Sequence, residues 1–416
     1  MEPNEIINNQ PPTSFWSKIK DRWISFASQI PYVDLLIVII GVSLALLLRF
    51  SLRTFESQDY QNFFRGWYTD IKAHGFVALG EGISNYTPLY FYMLYGISIF
   101  LPKVATVTAV KLPSIACDFI CAWYVYRIVR LKYVNGPVPI FAFFAILFAP
   151  TVILNSSAWN QIESIYTAGL IAFIYYILKK SNWLACIAFG IAFAVKLQSI
   201  YLAPLLLVLL LKKVVSWKHI LAVPAVYLIS IIPAWIAGRP LLELLTIYVG
   251  QVGGYAGLEH NAPNMYTWFP ANMYQILYPA GIIFAVSICL IYVAVILKSG
   301  VHLSKHLIVQ LALLSALLVP YFLPKSHDRY FYPSDILSIV YGFFFPGYFY
   351  IPLAANLISF FIYEPFLFGA NIFPQPVLAL ALLIVIVIVI RQMVLALYKP
   401  GAEPLDYSNS EFSNVK

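Results

Sequence analysis

Polar chemistry is concentrated near the start of the chain, between Arg53 and Leu101. Seven formal charges lie between Arg53 and Glu81, whereas only 11% of all residues are charged. Asp59 stands in this stretch, shortly after a membrane-length apolar run. A carboxylate at a membrane boundary can take the proton from an acceptor hydroxyl. We therefore predict that Asp59 is a general base; the alternative is an ordinary solvated loop acid.

A cationic cluster follows a later apolar run. The sequence Leu323-Pro-Lys-Ser-His-Asp-Arg-Tyr-Phe-Tyr-Pro333 places Lys325, His327 and Arg329 at alternate positions. An arginine fork binds two oxygens and a lysine adds a point charge, so the cluster suits a phosphate whose negative charge grows as it leaves. Interfacial anchoring is the alternative, but it accounts poorly for three such side chains together.

A polar turn joins two further apolar runs and contains Trp159, Gln161 and Glu163. An indole that can stack and two hydrogen-bonding side chains are typical of a sugar or glycan site. A polar turn with an interfacial tryptophan explains the same residues equally well.

Lys196, followed by Gln198, lies inside a long apolar stretch. A lysine at the centre of a membrane costs roughly 2.5–3.5 kcal/mol, so it is expected to face a cavity or a partner. Extension of the side chain to the membrane surface is the alternative. On α-helical spacing, Lys111 and Asp118 are also predicted to form a buried polar pair.

These residues are separated by long apolar runs. The runs predict an all-α polytopic membrane protein. The hydrophobic fraction is 61%, above the roughly 45–50% of soluble domains. We predict about twelve transmembrane helices, within a range of 11–13. They cover residues 33–52, 106–129, 138–153, 162–178, 183–195, 198–211, 219–237, 273–297, 306–323, 334–346, 351–368 and 376–397.

The distribution of lysine and arginine predicts that both termini are cytoplasmic, because cations accumulate in inner loops. The net charge of +8 therefore reflects topology, and no nucleic-acid partner is expected. Keeping this bias requires residues 87–101 to form an amphipathic helix on the outer surface and the region 183–211 to break into two short spans at Lys196.

Four cysteines in apolar runs show neither disulfide nor metal spacing, and no nucleotide-binding or zincin motif is present.

Three domains are predicted. Residues 1–32 form a cytoplasmic amphipathic segment, residues 33–397 the transmembrane domain, and residues 398–416 a polar cytoplasmic tail. Within the transmembrane domain, residues 53–105 form the first outer loop, and residues 238–272 a long outer loop of the kind that usually binds or covers a ligand.

Four stretches, in this order, resemble the GT-C membrane glycosyltransferases, and in particular the bacterial family related to the second mannosyltransferase of GPI-anchor synthesis. The resemblance covers roughly residues 35–340. It is carried by Ser57-Gln-Asp-Tyr60 with Trp67-Tyr68 and Asn85-Tyr-Thr-Pro-Leu-Tyr90, by Trp159-Asn-Gln-Ile-Glu163, by Ala194-Val-Lys-Leu-Gln198, and by Leu323-Pro-Lys-Ser-His-Asp-Arg-Tyr330.

The resemblance implies an inverting transfer of a sugar, with mannose expected, from a polyprenyl-phosphate donor on the non-cytoplasmic face of a bacterial cytoplasmic membrane. Asp59 takes the place of the first-loop catalytic acid, and His327, Asp328 and Arg329 resemble a short His-acid-basic motif. Many relatives carry paired acids where this chain has Gln58 before Asp59, so a divalent metal is left open and no other cofactor is expected.

The expected site combines three groups of residues. Asp59 is catalytic, and Lys325, His327, Arg329 and Lys196 bind the donor phosphate. The sugar or acceptor contacts Gln58, Tyr60, Trp67, Tyr86, Trp159, Gln161, Glu163, Gln198, Asp328 and Tyr330.

The expected partners are the lipid-linked donor, membrane lipids, and a glycolipid, glycan or protein acceptor. Two other functions fit the outer-face chemistry. A polymerase of lipid-linked glycans would rely on basic residues in large outer loops, and a transporter or flippase of such glycans would place polar groups along its spans towards both faces.

Overall fold

The structure, a computed structural model, describes residues 32–252 and 257–398. Apart from Tyr32 and Tyr398, the two predicted terminal segments lie outside these residues. The described chain is nearly all helical. Up to residue 211 the helices are α1 (Tyr32–Ser51), α2 (Arg65–His74), α3 (Pro88–Phe100), α4 (Thr106–Val129), α5 (Val138–Leu147), α6 (Pro150–Ala158), α7 (Glu163–Leu178), α8 (Asn182–Val195) and α9 (Ala203–Leu211).

The later helices belong to the second part of the chain. They are α10 (Trp217–Ile236), α11 (Leu241–Val252), α12 (Tyr274–Lys298), α13 (Lys305–Phe322), α14 (Tyr332–Phe344), α15 (Tyr350–Phe368) and α16 (Gln375–Tyr398). Two short strands, β1 (Glu259–His260) and β2 (Ser326–His327), pair in parallel.

Helix length and composition make this a multi-pass membrane protein. In the described residues, seven helices are long and apolar enough to cross a membrane, or eight if the bent pair α5 and α6 counts as one span. The seven are α1, α4, α10, α12, α13, α15 and α16. Helices satisfy their own backbone hydrogen bonds, which the hydrocarbon interior demands.

The predicted count of twelve spans is not established by these lengths. Every predicted segment is largely helical, but α7, α8 and α14 have only 16, 14 and 13 residues. At about 1.5 Å per residue each is shorter than the roughly 30 Å of hydrocarbon. Helix α3, with 13 residues, is also shorter than this thickness, and its place on the outer surface stays a prediction.

The interior of the bundle is formed by α7 and α13. Nearly every side chain of α7 is buried, and 83% of the apolar window of α13 is buried. By contrast, many leucine, isoleucine and valine side chains of α12 and α16 are exposed, as expected for helices that face lipid. Helix α1, taken by itself over residues 32–47, is likewise apolar and largely exposed.

Asp118 is paired with Arg49, so the predicted pairing of Asp118 with Lys111 is wrong. The Oδ2 atom of Asp118 accepts from Nε and Nη2 of Arg49 at 3.0 and 2.9 Å and from Ser156 at 2.7 Å. Lys111 instead donates to the carbonyls of Leu52 and Phe55 at 2.8 and 2.7 Å. The ammonium thus binds backbone carbonyls just beyond the end of α1.

Replacing Asp118 by leucine is expected to destabilise the protein by about 3–5 kcal/mol, because Arg49 then becomes a buried charge without its counter-ion. Thermal unfolding of the purified protein in detergent measures the loss. The double variant Arg49→Leu/Asp118→Leu removes both charges and is expected to lose less stability than Asp118→Leu alone. Equal or greater loss in the double variant contradicts this role.

The loop predicted for residues 238–272 contains helix α11 and strand β1. Leu244 and Ile247 on α11 are buried against Tyr227 and Ile231 of α10. Apolar residues at this spacing form one helix face. Between Gly238 and Gly250 the sequence contains no glycine, which leaves room for this helix.

Candidate functional site

One cavity of about 1060 Å³ collects residues from segments far apart in the sequence. Helix α2 with the turn before it, the loop before α3, the α6–α7 turn, the break after α8, β1 and the turn after β2 all contribute to its wall. Of the residues predicted for a site, Asp59, Trp67, Tyr86, Gln161, Lys196, Gln198, Lys325, His327, Asp328, Arg329 and Tyr330 line it.

Asp59 is held at the cavity by the turn that follows α6. Its Oδ2 atom accepts from Nε1 of Trp159 at 2.9 Å and from Nε2 of Gln161 at 2.5 Å. No protein hydrogen bond to Oδ1 is present among the described residues. Ser57 fixes the backbone nearby, since its hydroxyl donates to the Trp159 carbonyl at 2.8 Å and accepts from the Tyr60 amide at 3.1 Å. One carboxylate oxygen is thus oriented and the other is available to a ligand.

A widened helical turn over Leu154–Ala158 directs the residues that follow it towards the cavity. The Trp159 amide donates to the Leu154 carbonyl at 2.8 Å, five residues back. Asn160 then adopts a positive φ of 70°, a conformation that asparagine tolerates better than most residues. Such π-type turns often occur at functional sites. After this turn, Gln161 reaches Asp59 with its side-chain amide, and α7 begins at Glu163.

Trp159 does not offer the stacking surface predicted for it. Its side chain is fully buried, and its ring stacks on Phe366 at 4.8 Å and meets the edge of Tyr363 at 4.9 Å. Because protein rings already cover the indole, its contribution to the site is the hydrogen bond to Asp59.

Lys196 and Arg329 lie side by side on the cavity wall. Helix α8 ends at Val195 and Lys196 is extended, so the predicted break at this lysine is present. Glu163 forms an ion pair with Lys196 and approaches Nε of Arg329 to 3.4 Å. Glu163 is fully buried and does not line the cavity, unlike the sugar contact expected of it. Asp328 approaches Nη1 of Arg329, also at 3.4 Å.

Lys325 is the third cation of the cavity wall. It has a positive φ of 62°, and its amide donates to the Leu258 carbonyl at 2.7 Å. Its ammonium lies 4.4 Å from the centre of the Tyr278 ring and 5.5 Å from that of Tyr274. The lysine is therefore held at the edge of the cavity near the start of α12.

The β1–β2 pair joins the segment after α11 to the cationic turn that contains Lys325, His327 and Arg329. Glu259 pairs with Ser326 and His260 with His327, and the two imidazole rings stack at 4.5 Å. The sequence analysis did not predict this pairing. Within the described residues, no group of three or more metal-ligating side chains is present.

His327 does not add the positive charge expected of it. Burial, together with the nearby Arg329, His260 and Lys196, lowers its pKa to about 2. The imidazole is therefore neutral and can contribute a hydrogen bond only.

For Asp328, burial raises the pKa to about 7 despite the adjacent guanidinium of Arg329, so its negative charge is only partly present at neutral pH.

An aromatic wall from the first loop completes the cavity. Trp67 packs against Tyr86 at 5.2 Å and against Phe64 at 5.1 Å, and the neighbouring Phe63 also lines the space. The two phenylalanines were not predicted, although their run with Trp67 was a visible signal. Rings of this kind can pack against the apolar face of a sugar.

Two predicted contacts lie elsewhere. Gln58 is exposed and Tyr60 is buried, and neither lines the cavity. Adjacent residues of a turn point in different directions, so only Asp59 of this triplet reaches the space.

The cavity therefore combines an oriented carboxylate, three cationic side chains and an aromatic wall. Chemically, it can hold an anion at one part of its wall while a proton acceptor serves another part. No model of a known protein family matches this sequence, and no curated protein is significantly similar to it.

Proposed function

We propose that this chain is an inverting glycosyltransferase. It moves a sugar, with mannose expected, from a polyprenyl-phosphate donor to an acceptor hydroxyl on the outer face of the membrane. The observation that carries the proposal is that Asp59 and the cations Lys196, Arg329 and Lys325 line one cavity. The resemblance to the GT-C glycosyltransferases supports the same reaction.

The phosphate of the donor is assigned to the cations. Lys196 and Arg329 lie together behind the aromatic wall, and Arg329 can donate two parallel hydrogen bonds to phosphate oxygens. These contacts strengthen as the phosphate accumulates charge during departure, which lowers the barrier. The neutral His327 adds a hydrogen-bond donor without adding charge.

Asp59 is assigned to the acceptor. Its carboxylate takes the hydroxyl proton while the acceptor oxygen attacks the anomeric carbon of the sugar. The bond from that carbon to the phosphate oxygen breaks, and polyprenyl phosphate leaves with the electron pair. Attack opposite the leaving group inverts the configuration at the anomeric carbon.

The prenyl chain requires an apolar path from the cavity towards lipid. Ile200, Ile282 and Leu323 line the cavity beside its polar wall, and Ile282 belongs to α12, many of whose apolar side chains are exposed. This arrangement favours a donor that carries its phosphate at the end of a hydrocarbon chain over a soluble nucleotide sugar.

The direct test supplies purified protein in lipid nanodiscs with radiolabelled polyprenyl-phosphate mannose and, separately, the glucose analogue. Octyl mannoside and a glycolipid extract serve as acceptors, and released polyprenyl phosphate is quantified so that transfer to water is counted as well. We expect release and a product of inverted anomeric configuration. Polyprenyl phosphate without sugar is the matched blank.

The same assay separates the proposal from its rivals. Release of no sugar from either donor overturns the glycosyltransferase and leaves the transporter and the polymerase. A lipid-linked oligosaccharide supplied as donor separates these two, since only the polymerase transfers the preassembled block. A product of retained configuration contradicts the single displacement assigned to Asp59.

A further inference from the structure

Glu163 sits behind the two central cations of the cavity. It is the first residue of α7 and is fully buried. Its Oε1 atom pairs with the ammonium of Lys196 and lies 3.4 Å from Nε of Arg329. Both cations line the cavity, whereas Glu163 does not. The carboxylate is thus on the protein side of the cations and the cavity is on the other.

This layering has an electrostatic consequence. Placing a charge in a poorly solvated interior costs several kcal/mol unless an opposite charge is close. A lysine can escape that cost by losing its proton, whereas an arginine stays charged. Without Glu163, the cheapest response of the site is therefore neutralisation of Lys196.

The other neighbours of Lys196 favour its charge less than Glu163 does, and this includes the carboxylate of Asp59. The rings of Tyr86, Tyr166 and Tyr330 lie 5.8, 5.9 and 5.9 Å from its ammonium. Cation–π contacts at such distances stabilise a cation weakly. Arg329 opposes the lysine charge directly, since it brings a second positive charge to the same carboxylate.

We propose that Glu163 is a positioning residue that keeps Lys196 charged and aligned with Arg329, so that the pair can hold a phosphate anion in the cavity. The inference rests on the proposed function, and it replaces the sugar contact expected for Glu163. Glu163 acts through the two cations and does not touch the donor.

The titration of Lys196 gives the inference a distinctive readout. Burial lowers the pKa of Lys196, Glu163 raises it, and Arg329 lowers it. Removing the carboxylate lowers the pKa further, so the positive charge is present at low pH and lost as pH rises. The titratable and charged groups around this lysine are Glu163 and Tyr166 on α7, Arg329, Tyr330 and His327 after β2, and Asp59 and Tyr86 in the first loop.

The experiment measures the donor KM and kcat of Glu163→Gln with polyprenyl-phosphate mannose between about pH 6 and about pH 9, below the ordinary lysine pKa of about 10.4. We expect a KM near that of the wild type at the acid end and a rise of roughly tenfold to hundredfold towards the alkaline end, as a charge-assisted contact to phosphate is lost. The wild-type KM should stay nearly constant over the same range.

Two further variants make the result specific. Glu163→Gln/Lys196→Gln lacks the titrating lysine and is expected to show a raised KM that does not vary with pH. This variant also removes both buried charges, so it tests the idea even if the single substitution impairs folding. Glu81→Gln alters an exposed carboxylate of the first loop and should behave as the wild type.

The outcomes distinguish this inference from the function on which it rests. A wild-type protein that releases no sugar overturns both. An active wild type with an unchanged KM in Glu163→Gln, or with a KM raised equally at every pH, overturns the role of Glu163 alone.

Discussion

Asp59→Asn is expected to lower kcat by roughly a hundredfold to ten-thousandfold, the usual contribution of a positioned general base, with little change in the donor KM. Asparagine has nearly the same shape, and its carbonyl oxygen can still accept from Trp159 and Gln161. The substitution therefore removes the proton acceptor and keeps the surrounding contacts. Initial rates at saturating acceptor, measured as release of polyprenyl phosphate, give kcat.

Asp70→Asn is the matched control for this prediction. Asp70 lies on α2 in the same loop but does not line the cavity, so the rate should be unchanged. A purified and folded Asp59→Asn variant that transfers sugar at the wild-type rate would rule out Asp59 as the base.

Arg329 is expected to dominate donor binding. Arg329→Gln should weaken transition-state stabilisation, measured from kcat/KM, by about 2–5 kcal/mol, the cost of truncating one member of a buried charge pair. This corresponds to roughly thirtyfold to several-thousandfold. Arg329→Lys retains the charge but loses the fork, so its loss should be intermediate. Competition by polyprenyl phosphate without sugar reports the phosphate contact directly.

Arg130→Gln is the control for this second prediction, because Arg130 is exposed at the end of α4. It should bind donor and competitor as the wild type does. If Arg329→Gln binds polyprenyl phosphate with unchanged affinity, the phosphate does not sit at the cationic turn.

The sequence predicted much of the fold because membrane helices leave a strong local signal. Long apolar runs identified the helices, and the distribution of lysine and arginine between the two sides located the break at Lys196. The start of a helix at Pro88 and the cationic turn ending at Arg329 were also predicted from short stretches of sequence. Helix α11 was missed because the glycines at the end of its range outweighed a short apolar periodicity.

The roles of individual side chains depended on tertiary packing and were harder to predict. Nothing in the sequence indicates that Phe366 covers Trp159, or that Glu163 faces two cations from distant segments. The pKa of His327 depends on burial and on three neighbours brought together by folding. Lys111 and Asp118 share a helix, but their partners come from the end of α1 and the residues just beyond it.

The acidic side chains hold the cations of the cavity in place. Glu163 and Asp328 lie against Lys196 and Arg329, so the positive charges are partly compensated from the protein side. An arriving phosphate then meets preorganised donors and displaces few protein contacts. Preorganisation of this kind reduces the reorganisation required during the reaction.

The most direct test of the account is a structure of the protein with a non-transferable polyprenyl-phosphate sugar analogue bound. We predict phosphate oxygens within about 3 Å of the Arg329 guanidinium and the Lys196 ammonium, a typical distance for charge-assisted hydrogen bonds. The anomeric carbon should lie between the phosphate and Asp59. A phosphate bound outside this cavity, or a sugar whose anomeric carbon faces away from Asp59, would contradict the central claim that the cations and Asp59 serve one transfer reaction in one cavity.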